Sequence, residues 1–443
     1  MDGNTRRFTT LEKSWITYDW ANSVFATNIM AAIFPIYFSS VAQAAGKPGD
    51  VLWGYGTSIA TALVALAAPF LGAIGDYRGM KKKLFAAFLA LGLAFTLSMA
   101  LTGDWRLMLA GYVCAYIGFT GSCLFYDSFL TDVTTRERMD RVSSWGYAMG
   151  YIGGSTIPFV ASIGILLILG MDNPLAVKLS VGLTVLWWGV FSIPMLTRVR
   201  QVHYVETPRT ELVRHTLRNL LETVRAIFHD RGMLVFMIAY FFYIDGVNTV
   251  IHMATIYGKT LGLDSTGMIL ALLVTQVVAV PCSILFGRLA AKAGSIRIIR
   301  FAILVYVVIC SLGFYMGRSV ETASDAGAAA AIAQAQTLFW VLAILVGTVQ
   351  GGIQALSRSY FGKLVPPSRS SEYFGFFDIF GKYAAVLGPL LYGVMAQATG
   401  RSSAGILSIA IFFVIAFALL AAGRRQLVMT EERNANRHPQ GDA

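Results

Sequence analysis

Long runs of apolar residues, separated by short polar segments, dominate this chain of 443 residues. A helix that crosses the hydrocarbon core of a bilayer needs about 20 predominantly apolar residues. Twelve runs approach or exceed that length, at about residues 15–42, 51–75, 84–102, 105–130, 142–170, 175–197, 232–258, 265–290, 298–317, 335–361, 372–398 and 403–423. The pattern predicts an all-α integral membrane protein with twelve transmembrane helices.

Two longer polar segments interrupt this alternation. The segment Arg198–Arg231 carries seven arginines and places apolar residues at helical spacing, which predicts an amphipathic helix on the membrane surface. The segment Arg318–Gln336 is rich in alanine, and we expect a loop or a short helix there.

Composition and charge support a membrane protein. Hydrophobic residues make up 56% of the chain and charged residues 13%, a balance that excludes an ordinary soluble domain. The net charge of +11 comes from basic residues between the apolar runs, so we expect no nucleic-acid partner. With a cytoplasmic N-terminus, 28 Lys and Arg residues fall on the cytoplasmic side and six on the other. The positive-inside rule then predicts a multi-pass inner (plasma) membrane protein with both termini in the cytoplasm.

Candidate cofactor and catalytic chemistry is missing from the sequence. The four cysteines lie inside apolar runs without paired spacing, which argues against disulfides and a metal site. No Gly-x4-Gly-Lys-Ser/Thr phosphate loop, Gly-x-Ser-x-Gly elbow or His-Glu-x-x-His pair occurs. We therefore expect neither a cofactor nor enzymatic activity.

The two halves of the chain share motifs in the same order. The matching pairs are Gly72–Gly79 and Gly287–Gly294, Asp19–Val24 and Asp245–Val250, and Trp145–Tyr147 and Phe374–Phe376. They predict two pseudo-symmetric six-helix bundles, 1–197 and 232–424, joined by the linker 198–231 and followed by a polar tail, 425–443. Repeated halves with a binding site near the midplane are typical of secondary transporters.

Residues 72–83 resemble the cytoplasmic loop signature of the major facilitator superfamily, matching at Gly72, Asp76, Gly79 and Lys81. Segments spread over nearly the whole chain are similar to the vacuolar amino-acid effluxer branch of that superfamily, whose bacterial members are often called "unknown major facilitator" proteins. These segments are Tyr18–Ser23, Phe34–Tyr37, Asp245–Val247, Gln350–Ser359, Gly381–Lys382 and Leu387–Pro389. The chain departs from the branch at Asp127, where an amide is expected.

The resemblance implies the major facilitator fold and a monomeric secondary transporter that works by alternating access. It implies a small zwitterionic solute such as an amino acid, moving out of the cytoplasm, and we expect a proton gradient to drive this transport. Two alternatives stay open at this point: a facilitator or exporter of amphiphilic cargo, such as a drug or a lipid or cell-wall precursor, and a non-transporting membrane receptor on the same fold.

Charges inside the apolar runs are candidates for the solute and proton pathway, because each needs a partner or a water-filled cavity. They are Asp127, Asp245, Asp378 and Lys382, whereas a fifth such charge, Asp19, is expected to control conformation. Asp245 is the candidate proton carrier, and Lys382 is a candidate partner for it or for a solute carboxylate. Asp378 lies four residues before Lys382, so a purely structural ion pair is an equal alternative.

Polar amides complete the candidate pathway, with inter-helix hydrogen bonding as the alternative role: Asn22, Asn248, Gln276, Gln350 and Gln354. A second group of residues is expected to control conformation. In the superfamily interpretation Asp76 caps a helix and pairs with an arginine, for which Arg136, Arg138 and Arg141 are candidates. Asp19 is expected to form a lock near the cytoplasmic end. Gly72, Gly79, Lys81 and Arg358 belong to this group through their motifs.

Overall fold

The computed structural model describes residues 7–170, 173–206 and 212–437. Within them, twelve helical segments are long and apolar enough to cross a membrane, and we call them spans 1 to 12 in chain order. Their bounds are Thr10–Ala44, Val51–Gly75, Met80–Leu101, Trp105–Val133, Met139–Leu169, Pro174–Arg198, Arg231–Thr260, Leu270–Ala293, Ser295–Glu321, Ala328–Leu364, Pro367–Thr399 and Ser402–Ala422. The predicted fold class, all-α with twelve spans, is confirmed.

Helices are the natural form for these segments, because a helix satisfies its own backbone hydrogen bonds without water. In the part of the chain that the structure describes, two further helices lie outside the spans, Leu212–His229 and Arg424–Arg437. The first is the amphipathic helix that the linker sequence predicts. The alanine-rich segment forms no element of its own: its residues extend span 9 to Glu321 and begin span 10 at Ala328.

Span 1 and span 5 are not uniform α-helices. Span 1 passes from the α-helix Thr10–Val24 through the π-helix Phe25–Ala32 to the α-helix Phe34–Ala44. Span 5 has a π-helical segment, Gly150–Thr156, between the α-helices Met139–Met149 and Ile157–Leu169. The two wide segments pack against each other. Such widened turns occur often at functional sites, and no sequence pattern announces them.

Cα proximity divides the chain into two units. The first comprises residues Met1–Val224 with Val365–Ile379, and the second comprises Arg225–Leu364 with Phe380–Ala443. The first unit therefore contains spans 1 to 6, most of the linker helix and the beginning of span 11. In this unit span 4 packs on spans 2 and 3, and span 6 on spans 1, 3 and 5. In the second unit span 10 packs on spans 8 and 9, and span 12 on spans 7 and 9.

Candidate functional site

The loop between spans 2 and 3 binds the beginning of span 11 through Asp76. Its side chain is 2% exposed. One carboxylate oxygen accepts the backbone N–H of Ser371 at 2.8 Å, and the other accepts that of Glu372 at 2.9 Å. The first N–H groups of a helix have no partner within the helix and carry partial positive charge. Asp76 therefore caps the N-terminal turn of the helix Ser370–Thr399.

Two glycines allow the backbones to approach this closely. A Cβ atom on Gly72 would lie 2.3 Å from the carbonyl oxygen of Ser371, and one on Gly375 would lie 2.7 Å from that of Ala68. Both clashes are with backbone atoms, which cannot rotate away. Span 2 and the first turns of span 11 are thus matched to each other by residues that lack side chains. Gly79 has a different role, because its φ of +74° starts span 3 from a left-handed turn.

Lys81 is completely buried beside Asp76 and is neutralised by an acid that sequence reasoning did not select. Its Nζ donates to Asp132 Oδ2 at 2.7 Å and to Ser370 Oγ at 2.8 Å. Asp132 lies at the end of span 4 and has 0% of its side chain exposed. A buried charge pair requires such complete hydrogen bonding to offset its desolvation. The pair ties span 3 to span 4 and to the first residue of the span 11 helix.

The linker begins as a strap over the same loop. Asp132 Oδ1 accepts the backbone N–H groups of Val202 and His203 at 3.0 and 2.8 Å, and His203 Nδ1 lies 3.2 Å away. Two backbone hydrogen bonds join Val205 to the 2–3 loop. The Arg78 N–H donates to the Val205 carbonyl at 3.1 Å, and the Val205 N–H donates to the Asp76 carbonyl at 2.8 Å. Asp132 therefore organises both the buried lysine and the start of the linker.

The predicted arginine partner of Asp76 requires correction. The hydrogen bonds of this carboxylate go to backbone amides, because a helix N-terminus already supplies two donors in the right place. Arg138 instead forms hydrogen bonds of 2.7 Å to each carboxylate oxygen of Glu12 in span 1. Glu12 also closes a capping box with Thr9. Arg136 lies between spans 4 and 5 and Arg141 lies in the first turn of span 5, and both engage other groups of the protein.

Burial raises the pKa of Asp76 to about 7. The Lys81 ammonium and the two backbone N–H groups that donate to the carboxylate lower this pKa, but by less than burial raises it. The Asp76 carboxyl therefore titrates near neutral pH while it holds span 11. The hydrogen bonds from Arg138 to the Glu12 carboxylate raise the pKa of the guanidinium, as expected for an ion pair.

Among the predicted pathway residues whose side chains the structure describes, Asp245 is the most enclosed, with 1% of its surface exposed. Its two oxygens lie 3.0 and 3.1 Å from the backbone nitrogen of Gly388, which donates to them, and Thr249 Oγ1 lies 3.4 Å away. Gly388 directly precedes Pro389 inside span 11, and a proline inside a helix removes one backbone hydrogen bond. Spans 7 and 11 are therefore joined next to this proline by an acid that is bound to backbone. No cation contacts Asp245 among the side chains that the structure describes.

Lys382 lies in the helix of span 11, and its side chain is outside the described part of the structure. Its predicted pairing with Asp245 or Asp378 thus stays a prediction. Asp19, Asp127 and Asp378 are all partly exposed and engaged with other groups.

The predicted amides occupy several helices and do not form one cluster. Asn22 is buried in span 1, 3.5 Å from the hydroxyl of Ser23. Four others are partly exposed, in spans 7, 8 and 10: Asn248, Gln276, Gln350 and Gln354. The side-chain oxygen of Gln276 is buried without a hydrogen-bond partner among the described residues, a state that costs free energy unless water or a ligand completes it. Arg358, four residues after Gln354, is 4% exposed and engaged.

A buried polar group in the first unit was missed from the sequence. Asn28, in the π-helical part of span 1, donates to Ser162 Oγ at 2.9 Å and to Thr184 Oγ1 at 3.0 Å. The three residues come from spans 1, 5 and 6. Asn28 stands in an apolar run six residues after Asn22, which was the available signal.

A family model described as "Vacuole effluxer Atg22 like" matches residues 52–136 and 131–426. The chain belongs to this family. It is 42% identical over 426 residues to the uncharacterized MFS-type transporter YxiO of Bacillus subtilis (strain 168), covering 94% of this chain and 95% of the relative. It is 24% identical over 322 residues to autophagy-related protein 22 of Cryptococcus neoformans var. neoformans serotype D (strain JEC21 / ATCC MYA-565), covering 70% of this chain and 54% of the relative.

The chain thus spans about half the length of this fungal relative. Solved structures show the same fold as this member of the Atg22-like family. A bacterial homologue of the iron transporter ferroportin in an outward-facing state matches with a TM-score of 0.69 at 14% identity, over 94% of this chain and 98% of the other. The major facilitator transporter FucP in the outward conformation matches with a TM-score of 0.67 at 14% identity, over 93% and 98%. The protein is therefore a multi-pass major facilitator-type transporter and belongs to no enzyme family.

Proposed function

We propose that this transporter exports a small zwitterionic solute of the amino-acid class in exchange for protons, by alternating access between two bundles at residues 1–197 and 232–424. The family description as an effluxer supports the direction. The acidic and amide groups inside the spans support a polar solute over an amphiphilic one, because each such group in an apolar helix costs free energy unless it has a polar partner.

The protein works, in this proposal, as a monomer in the plasma membrane with both termini in the cytoplasm. The division of basic residues, 28 to six, supports that orientation. The proton gradient of a bacterial plasma membrane points into the cell. An exporter that uses it must therefore move solute and protons in opposite directions.

Asp245 carries the proposal. It is a buried acid in the middle of span 7, bound to the Gly388 amide beside Pro389 of span 11, and no described cation contacts it. A carboxylate in apolar surroundings needs a proton, a cation or hydrogen bonds to offset desolvation. A proton gained on one side of the membrane and lost on the other would change the strength of the Asp245–Gly388 contact. Proton binding would thereby be linked to the geometry of spans 7 and 11.

The remaining residues receive roles around this acid. Lys382 binds the solute carboxylate, and Asp378 orients Lys382. The amides Asn22, Asn248, Gln276, Gln350 and Gln354, together with Asp127, contact the solute or the water that accompanies it. Conformational control falls to the 2–3 loop and to its neighbours: Gly72, Asp76, Gly79, Lys81, Asp19, Arg136, Arg138 and Arg358.

The test separates coupling from binding. Purified protein is first screened by thermal shift against the twenty protein amino acids, and a stabilising solute is taken into proteoliposomes. Asp245→Asn keeps an oxygen that accepts the Gly388 N–H but cannot carry a proton. We expect this variant to exchange solute at close to the wild-type rate and to lose uphill transport driven by a pH gradient.

Thr249→Val serves as the matched control, because it removes only the 3.4 Å hydroxyl contact and leaves the acid in place. It should retain uphill transport. A well-folded Asp245→Asn protein that still accumulates solute against its gradient would refute Asp245 as the carrier. Stabilisation by lipid or drug-like molecules, with none by amino acids, would favour amphiphilic cargo instead.

A further inference from the structure

The linker helix Leu212–His229 presents an apolar stripe that no part of the described protein covers. One side of the helix packs inward through Thr216, Thr223 and Ile227, which are 0%, 0% and 5% exposed. The neighbouring side carries Leu217, Leu221 and Phe228, which are 51%, 61% and 64% exposed. Three large apolar side chains in one row are costly in water, since each buried side chain of this size gains free energy on leaving it. The stripe therefore calls for an apolar partner.

Basic residues border this stripe. At 100° per residue, Arg218 and Arg225 fall about 60° to 80° around the helix from its centre, and both are exposed. Arg218 also pairs with Glu222 at 3.1 Å, and its side chain is 77% exposed. The helix segment 212–229 contains three arginines and one glutamate. An apolar stripe with arginines along its edge is the pattern of a helix that lies in a membrane interface, where the arginines reach lipid phosphates.

We propose that this helix binds the surface of an anionic leaflet and that the bound lipid strengthens the cap on span 11. The bilayer is the chosen partner because the chain already crosses it and because the exposed charges complement acidic headgroups. The proposal rests on the helix and its contacts, and it is independent of the proposed solute and of proton coupling.

The inward side of the helix connects the surface to the site. Thr216 Oγ1 lies 3.3 Å from the hydroxyl of Tyr77, the neighbour of Asp76. Arg369 donates to the carbonyl of Asn219 at 2.8 Å and pairs with Glu372 at 3.0 Å. Residues on both sides of the Asp76 contact are thus tied to one helix. When lipid immobilises the linker helix, the 2–3 loop cannot move away from span 11 freely. Either the helix must leave the lipid, or its hydrogen bonds to Tyr77 and Arg369 must be strained.

The test compares full-length protein in nanodiscs of pure phosphatidylcholine with protein in nanodiscs that contain 30% phosphatidylglycerol. Amide hydrogen exchange is followed in two regions, the helix Leu212–His229 and the donors Ser371 and Glu372. Each arginine near an anionic surface contributes about fivefold to binding. We therefore expect at least about fivefold slower exchange of the helix with phosphatidylglycerol, and slower exchange of the two donor amides with it.

The variant Arg218→Gln/Arg225→Gln should lose most of the lipid effect in both regions, and high salt should reduce it in the wild type. The matched control is Arg424→Gln/Arg425→Gln, which removes the same charge from an exposed part of another helix and should keep the effect. Equal exchange in the two lipids would overturn the proposal. So would an equal loss in both variants, or protection of the linker helix that leaves Ser371 and Glu372 unchanged.

Discussion

The cap on span 11 should depend on pH through Asp76. With its pKa at about 7 when bound and about 3.9 when solvated, the carboxyl holds a proton more tightly in the bound arrangement than in the separated one. By linkage, acid therefore favours the bound arrangement, and this stabilisation is lost as the pH rises through about 7. Between pH 8 and pH 6 the ratio of bound to separated protein should rise about tenfold, which corresponds to about 1.4 kcal/mol.

The donors of the contact report this ratio directly. The backbone N–H groups of Ser371 and Glu372 exchange with solvent only when they leave Asp76. After correction for intrinsic exchange rates, we expect their protection to be about tenfold higher at pH 6 than at pH 8. In Asp76→Asn the side chain no longer titrates in this range, so the pH dependence should fall below about twofold. Turnover should slow in this variant, with solute affinity within a few-fold of wild type.

Two controls assign the effect to Asp76. His203 lies close to this site, where its ring contacts Asp132. His203→Gln should keep the pH dependence of the Ser371 and Glu372 amides. Asp104→Asn alters an exposed helix cap in the 3–4 loop and should change nothing at span 11. Protection that rises with pH, or that keeps its tenfold change in Asp76→Asn, would refute this account of the cap.

Three further outcomes test the remaining structure. Gly72→Ala and Gly375→Ala each place a Cβ atom against the backbone of the neighbouring span. Each should therefore speed exchange of the Ser371 amide at least tenfold. The control Gly393→Ala, whose Cβ would meet nothing within 4 Å, should not change this exchange. A cysteine at Arg218 should react with an impermeant maleimide only from the cytoplasm, and labelling of intact cells would reverse the proposed orientation. Lys382→Ala should weaken binding of a solute much more than binding of its carboxamide analogue; equal losses would assign Lys382 a structural role.

The spans were predictable because twenty apolar residues in a row have few alternatives to a membrane helix. The end of span 9 and the beginning of span 10 could not be predicted, because the alanines of the segment 318–336 are compatible with a helix and with a loop. The cap by Asp76 was foreseen in kind from the loop motif. Its actual partners, the amides of Ser371 and Glu372, lie 295 and 296 residues away in the chain, and backbone donors leave no trace in side-chain identity.

Asp132 and Glu12 illustrate a second limit. Both lie near the ends of their spans, where an acid usually contacts water and draws no attention. Tertiary packing buries them against Lys81 and Arg138, at separations of 51 and 126 residues. Conversely, Asp245 in span 7 was identifiable from the sequence. An ionisable residue far from either end of an apolar run cannot be hydrated by the solvent outside the membrane, so it needs a partner or a function. Sequence reasoning thus finds charges at mid-depth more readily than charges at the rim.

The central claim, exchange of solute for protons through Asp245, is tested most directly by measuring the two fluxes together. Proteoliposomes with a trapped pH-sensitive dye receive the stabilising amino acid outside, with no gradient imposed beforehand. The account predicts that the lumen of wild-type vesicles becomes alkaline as solute enters, and that Asp245→Asn vesicles exchange labelled solute without any change in pH. Solute entry with a constant lumenal pH in the wild type, or with acidification, would contradict proton exchange.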